Sequence, residues 1–357
     1  MAEELDAAYR LMERFAEEGV AGSALCVSRE GEIVAEHYVG QANLGMSASE
    51  ETLWPLASIS KLYAAAAAMS CLERGELALS TKVSSLIPEF TGGGRELITL
   101  RHCLTHTSGL PYESKQMAER LAAKWSLEDL IMEAASELLI FAPGKDQAYS
   151  DYAVGLAGLM CARAAGMSFP ELVRTRVIEP GGLMNTYMPP PDDVSDRIAY
   201  VDGALAEGTD GAMYNSAYAR ALAHPAFGAI ASAKDLLKFG LLFDPNRQRQ
   251  LFSQAGTETM ISDQTGYDFP DAPTAPRAAS VQAWGLGFQL KERLTFPELV
   301  SPRAFGHPGA SGCILVVDPV LDVAFAFTSN RHLNLGYDAW TDRLMRISNV
   351  VMACMSR

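Results

Sequence analysis

The stretch Trp54–Leu77, WPLASISKLYAAAAAMSCLERGEL, puts Ser58 three residues before Lys61, and five consecutive alanines follow at Ala64 to Ala68. Alanine is the strongest helix former, and side chains three apart on a helix share a face within contact range. The spacing therefore predicts a helix that carries Ser58 and Lys61 side by side at the mouth of an otherwise apolar element. A serine hydroxyl is a poor nucleophile until a base takes its proton. A lysine can take it when desolvation or a neighbouring charge lowers its pKa, and the alanines supply an apolar wall. Ser60 is adjacent to Lys61 and points elsewhere. An S-x-x-K spacing also occurs by chance on ordinary surface helices, so its meaning depends on the rest of the chain.

The chain has 357 residues, enough for one large domain or two lobes, with 48% hydrophobic and 20% charged residues, an ordinary globular composition. The 29 basic and 43 acidic residues leave a net charge of −14. That balance argues against a nucleic-acid partner, which needs a basic stripe, and against docking on an anionic membrane. The N-terminus, MAEELDAAYRLMERFAEEGV, reads as an amphipathic helix rather than a secretory signal, and the longest apolar run, within residues 62 to 72, is too short to span a bilayer. Six scattered cysteines without a C-x-x-C suit small buried thiols in a reducing compartment. The expectation is a cytoplasmic protein.

Along the chain, GSALCVSREGEIVAEHYVG reads as two strands joined at Arg29-Glu30-Gly31. From Ser58 to about Ala165 the pattern is mostly helical, punctuated by Gly92-Gly93-Gly94 and Pro143-Gly144. SAKDLLKFGLLF is a helix with Ser232 as its N-cap, and residues 245–280 read as a loop or lid. WGLGFQL, SGCILVVD and VAFAFTSN read as strands, and a last helix runs from about Tyr337 to Met355. Strands at both ends and helices between them imply an α+β fold: an antiparallel sheet flanked by N- and C-terminal helices, with an inserted mainly helical lobe. The expected domains are 1–57 with 225–357 for the sheet, and 58–224 for the helical lobe, with the active-site cleft between them.

Two more segments join Ser58 and Lys61. FAPGKDQAYSDYAVGLAGLM carries Tyr149-Ser150-Asp151 into an apolar helix, and AFGHPGASGCILVVDP carries His307-Pro308-Gly309 at the expected opening of a strand. In this order the three resemble the S-x-x-K, Y-x-N and K-T-G or H-x-G motifs of the serine β-lactamase and penicillin-binding protein superfamily. The match is closest to its class C β-lactamase-like branch, which includes serine esterases and D-amino-acid peptidases. LITLRHCLTHTSGLP, FGAIASAKDLLKFG and WGLGFQL are also similar to family segments, so the resemblance spans roughly Gly22 to Asn330.

The resemblance implies a β-lactamase/transpeptidase-like fold and a serine hydrolase without a cofactor. It implies that Ser58 is acylated and that Lys61 and Tyr149 share the activating proton. Lys61 as a neutral base, and Tyr149 as a phenolate held by a Lys61 ammonium, both remain open. The backbone N–H groups of Ser58 and Ala310 would form the oxyanion hole, and Asp151, His307 and Gly309 would contact substrate. Two positions depart from the family. Asp151 stands where Asn is usual, and a carboxylate only accepts hydrogen bonds. His307 stands where a Lys would hold a β-lactam carboxylate. Both departures favour a carboxylesterase acting on small or medium neutral esters.

Alternatives from the same fold are a β-lactamase, a D-amino-acid peptidase or amidase, and an acyltransferase. A non-catalytic binding protein is the alternative from another class. His102 and His106 in HCLTH, one helical turn apart, are the candidate metal ligands, but they lack the glutamate of H-E-x-x-H, and no metal is expected. No G-x-S-x-G elbow occurs, which argues against an α/β-hydrolase fold. The expected partner is a small-molecule ester or amide; oligomeric state is not legible.

Overall fold

The computed structural model describes residues 3–203, 212–265, 282–291, 296–333 and 337–356. Helix α1 (Asp6–Glu17) leads into β1 (Gly22–Arg29) and β2 (Glu32–Asn43), with a short β3 (Met46–Ser47) beyond. The hairpin turns at Glu30-Gly31, both left-handed (φ +53° and +82°). The C-terminal strands are β4 (Gln289–Leu290), β5 (Phe305–Gly309), β6 (Cys313–Asp318) and β7 (Val323–Ser329). Together they form one antiparallel sheet in the order β3-β2-β1-β7-β6-β5-β4. The first strand of the chain thus pairs with the last, Leu25 opposite Phe327.

Strand periodicity sorts the side chains onto two covered faces. Leu25, Val27, Phe325 and Phe327 pack with Leu11, Met12 and Phe15 of α1 and with Ile347 and Val351 of the C-terminal helix (Tyr337–Met355). Full burial of each such side chain contributes about 2 kcal/mol. The alternate residues Ala24, Cys26, Ala324 and Ala326 face a second core and are small. Small side chains let the helix Ala233–Leu241 lie close to the sheet. At its Gly240, a Cβ would come within 2.8 Å of Leu315.

The helical region carries the serine and the tyrosine. We label the helices that matter here α2 (Ser60–Glu73), α3 (Leu100–Leu104) and α4 (Asp151–Ala165). Helix α2 is buried from Ser60 through Cys71, as expected of a helix that is apolar on every side. It packs against α4, and Gly158 of α4 in turn admits Pro225 so closely that a Cβ would lie 2.5 Å from its ring. A small sheet joins Trp54–Pro55, Ile230–Ala231 and Thr186–Tyr187 beneath the start of α2. Among the described residues, no single helix is long and apolar enough to cross a membrane.

Three local expectations are corrected. Residues 245–280 are not all loop: Gln254–Ile261 is a helix, with the Ser253 hydroxyl accepting from the Gly256 N–H at 3.0 Å. Its buried Thr257, Met260 and Ile261 form a mixed face that polar composition conceals; residues 266–280 lie outside the described residues. WGLGFQL yields only the two-residue β4, because left-handed Gly287 (φ +77°) folds the segment into a tight loop. His307-Pro308-Gly309 closes β5 rather than opening a strand, and Ala310 lies in the turn before β6, which Gly312 (φ +95°) completes.

Candidate active site

Ser58 lies in a short 3-10 turn, Ala57–Ile59, that runs straight into α2. The preceding Ala57 is left-handed (φ +48°), a conformation that costs an L-residue on the order of 1–3 kcal/mol and persists only where its surroundings impose it. Those surroundings are the segment 226–229. The Ala229 carbonyl accepts from the Leu56 N–H at 2.9 Å. The Ala229 N–H donates to Ser60 Oγ at 2.8 Å, and the Ala226 carbonyl accepts from Lys61 Nζ at 3.0 Å. Ser60 is therefore a fastener of the turn. The end of β5 presses on the same turn: a Cβ at Gly309 would lie 2.3 Å from the Leu56 carbonyl oxygen. Only glycine permits that approach, which holds the end of β5 against the turn that carries Ser58.

Lys61 is 1% exposed, so its charge survives only through protein partners. It has three. Nζ donates to Ser58 Oγ at 3.0 Å and to the Ala226 carbonyl, and it lies 2.7 Å from Asp151 Oδ1. Nζ also stands 4.7 Å above the centre of the Tyr149 ring. Burial works to lower the lysine pKa, but Asp151 and then Tyr149 outweigh it, and the net direction is upward. Burial pushes the Asp151 carboxyl up against the pull of Lys61. The 2.7 Å contact favours the charged form of each group, and with its pKa raised Lys61 is an ammonium near neutral pH.

Tyr149 directly precedes Ser150, the N-cap of α4, whose hydroxyl accepts from the Ala153 N–H at 3.1 Å and donates to the Pro111 carbonyl at 2.7 Å. Burial raises the phenol pKa, and with the charge of Asp151 it outweighs the pull of the Lys61 ammonium and of hydrogen bonding to Lys61 and Ser58, so the net direction is upward. Its hydroxyl is 3.5 Å from His307 Nε2. His307 Nδ1 is 2.6 Å from the Pro308 carbonyl, which accepts and so requires the Nδ1–H tautomer; the Nε2 lone pair then faces Tyr149. Burial, then Lys61, pushes the His307 pKa down to about 3, so the third motif carries no positive charge at neutral pH.

Ser58, Lys61, Tyr149, Asp151 and His307 thus come together around one ammonium, with Gly309 packed on the turn that carries Ser58. Asp151 is turned onto Lys61. Several further groups stand near this cluster. The Ala226 carbonyl, a backbone group, has no sequence signal. Glu113, from the polar loop after α3, has an enclosed Oε2 without a hydrogen-bond partner; burial and Asp151 push its pKa up to about 8, against Lys61. Tyr214 is buried, and its phenol is raised by burial and by the charges of Asp151 and Glu113. His224, which stacks on Phe227 at 4.1 Å, is pushed down to about 3 by burial and Lys61. The HCLTH histidines separate: His102 Nδ1 accepts from the Thr99 N–H at 3.1 Å in a capping box on α3, while His106 Nδ1 accepts from the Ser150 N–H at 3.1 Å. Among the described residues, no group of three His, Cys, Asp or Glu is arranged to hold a metal ion.

A family model described as Beta-lactamase matches residues 8–348. The chain belongs to this beta-lactamase family. Esterase EstB of Burkholderia gladioli is 32% identical over 220 residues, 57% of this chain and 55% of that one. A Beta-lactamase of Escherichia coli (strain K12) is 29% identical over 173 residues, 48% of this chain and 44% of that one. The chain thus spans about half the length of these relatives. Among solved structures, EstCE1, described as a hydrolase with promiscuous acyltransferase activity, superposes with a TM-score of 0.78 at 21% identity, covering 100% of this chain and 98% of that one. That likeness shows a shared fold.

Proposed function

We propose that this beta-lactamase-family protein is a serine hydrolase of carboxylesterase type, acylated on Ser58 by small or medium neutral esters. The observation that carries the reading is the fully engaged Lys61: one N–H on Ser58 Oγ, one on the Ala226 carbonyl and the charge on Asp151. A lysine so held is a fixed ammonium rather than a base. It orients Ser58 and stabilises negative charge on its neighbour, which leaves Tyr149 as the proton acceptor. Ser58 Oγ attacks the ester carbonyl while its proton passes to the Tyr149 oxygen in its phenolate form, which, because the phenol pKa is raised, gains population and rate towards alkaline pH. The oxyanion is received by the N–H groups of Ser58 and Ala310. Collapse expels the alcohol, which takes the proton back from Tyr149, and water then hydrolyses the acyl-enzyme by the same exchange.

The neutral His307 supports the substrate class. A substrate carboxylate entering beside Asp151 and Glu113 would meet carboxyl groups and an uncharged imidazole. The test is hydrolysis of p-nitrophenyl acetate and butyrate, beside nitrocefin, by wild type and Ser58→Ala. The reading expects ester turnover that falls at least about 10⁴-fold in the variant, with little nitrocefin cleavage. Ester turnover retained by Ser58→Ala sinks the mechanism, and strong nitrocefin turnover by wild type restores the β-lactamase alternative.

A further inference from the structure

We infer that His106 is the positioning residue for Tyr149: it grips the backbone on both sides of the tyrosine and supports one face of its ring. The inference rests on Tyr149 acting as the proton acceptor. The His106 carbonyl accepts from the Ala148 N–H at 2.8 Å, and its Nδ1 accepts from the Ser150 N–H at 3.1 Å. Its imidazole lies against the phenol ring at 4.3 Å between centroids, tilted by 33°, and Trp284 stands edge-on to that imidazole at 4.8 Å. Residues 148, 149 and 150 are therefore each held by a different part of one side chain or its own backbone.

Two features show that the position is imposed rather than incidental. His106 is left-handed (φ +61°), and it is 1% exposed while its Nε2 has no hydrogen-bond partner. Because Nδ1 accepts, Nε2 carries the proton, and a buried N–H without a partner is a penalty. The fold tolerates both penalties where they fix the phenol next to Ser58 and Lys61. Neighbouring bonds extend the same template: the Thr107 carbonyl accepts from the Gly144 N–H at 2.8 Å, and the Tyr112 carbonyl accepts from the Asp151 N–H at 2.7 Å. Segment 106–112 is thus the mould in which the second motif is cast. The imidazole must be neutral for this, since an imidazolium could not accept at Nδ1. Burial, Lys61 and His307 all hold its pKa well below the ordinary value.

His106→Asn and His106→Phe divide the contacts. Asn places Oδ1 where Nδ1 stands and tolerates the left-handed backbone, but it loses the ring face. Phe keeps a face and loses the acceptor. Each is made in wild type and in Tyr149→Phe, and kcat and KM for p-nitrophenyl butyrate are measured. A displacement of about 1 Å at a reacting group costs on the order of 100-fold, so His106→Phe is expected to lose about 10- to 100-fold in kcat with KM within about 2-fold. His106→Asn is expected to recover part of this, staying within about 10-fold of wild type. In the Tyr149→Phe background either change should alter the residual rate by less than about 2-fold, because the residue it serves is gone. If His106→Phe does not melt cooperatively, the cycle is read from His106→Asn alone. An equal fold-loss in both backgrounds, or kcat of His106→Phe within about 2-fold of wild type, overturns the inference. A Tyr149→Phe enzyme with wild-type kcat would instead overturn the proton-acceptor role itself, and the inference with it.

Discussion

Lys61 and His307 both lie against Tyr149, both buried and both basic residue types, yet one keeps its charge and the other does not. Lys61 has a carboxylate 2.7 Å away, and its pKa lies above the ordinary lysine value. His307 has a backbone carbonyl at 2.6 Å, and burial takes its pKa down to about 3. Position in the site does not decide charge; a built counter-charge does. The two carboxyl groups differ in partnership as well, although burial raises both. Asp151 has the ammonium in contact, whereas Glu113 has an unpartnered Oε2 and is pushed up to about 8.

The most damaging way to break the contrast is to remove Asp151's charge. Asp151→Asn leaves a buried ammonium without its partner and is expected to cost about 3–5 kcal/mol, read by urea denaturation. It should also move the pH profile. With its counter-charge gone, Lys61 pulls harder on the Tyr149 phenol, so the alkaline rise of kcat/KM should shift down by about one pH unit or more. An unmoved rise would mean that Tyr149 does not titrate under Lys61.

A milder change sharpens the comparison from the other side. His307→Lys offers the third motif an ammonium but no carboxylate. Ester kcat/KM is expected to fall about 10-fold, while the ratio of nitrocefin to ester turnover rises, since a substrate carboxylate then gains a partner. An unchanged ratio would show that residue 307 has no part in substrate charge selection.

The smallest effect is at Glu113. Its folded pKa, about 8, lies above the ordinary value of 4.5, so the folded state binds the proton more tightly than the unfolded state. Its contribution therefore favours folding at low pH and is lost as pH rises from about 4.5 through 8. Glu113→Gln removes that loss. The melting temperature of the variant minus that of wild type should grow between pH 5 and 8, and a flat difference would contradict the burial of this carboxyl.

The legible parts of the molecule are those written in side-chain pattern. The hairpin at Arg29-Glu30-Gly31, the Ser232 cap and the final helix each follow from periodicity and turn residues, and they occur where the sequence puts them. Ser58 and Lys61 are three apart and in contact at 3.0 Å, although Ser58 sits in a 3-10 turn rather than in the helix proper. What escaped is written in backbone or in partnership. The Ala226 carbonyl has no residue signature. The left-handed Ala57 looks like any helix-forming alanine until the segment 226–229 is seen to fix it. Asp151 reads as a substrate contact because its motif partner in the family meets substrate, but only its distance to Lys61 shows that it neutralises the lysine. The helix Gln254–Ile261 was hidden by a polar face, and His106 by its one-turn spacing from His102, which imitates a metal pair.

The most direct measurement is mass spectrometry of the intact protein, quenched during turnover of p-nitrophenyl butyrate and then digested. The account predicts one butyryl group, on the peptide containing Ser58, accumulating in wild type and absent from Ser58→Ala. Steady ester turnover with no adduct at Ser58, or with the adduct on another residue, would contradict it.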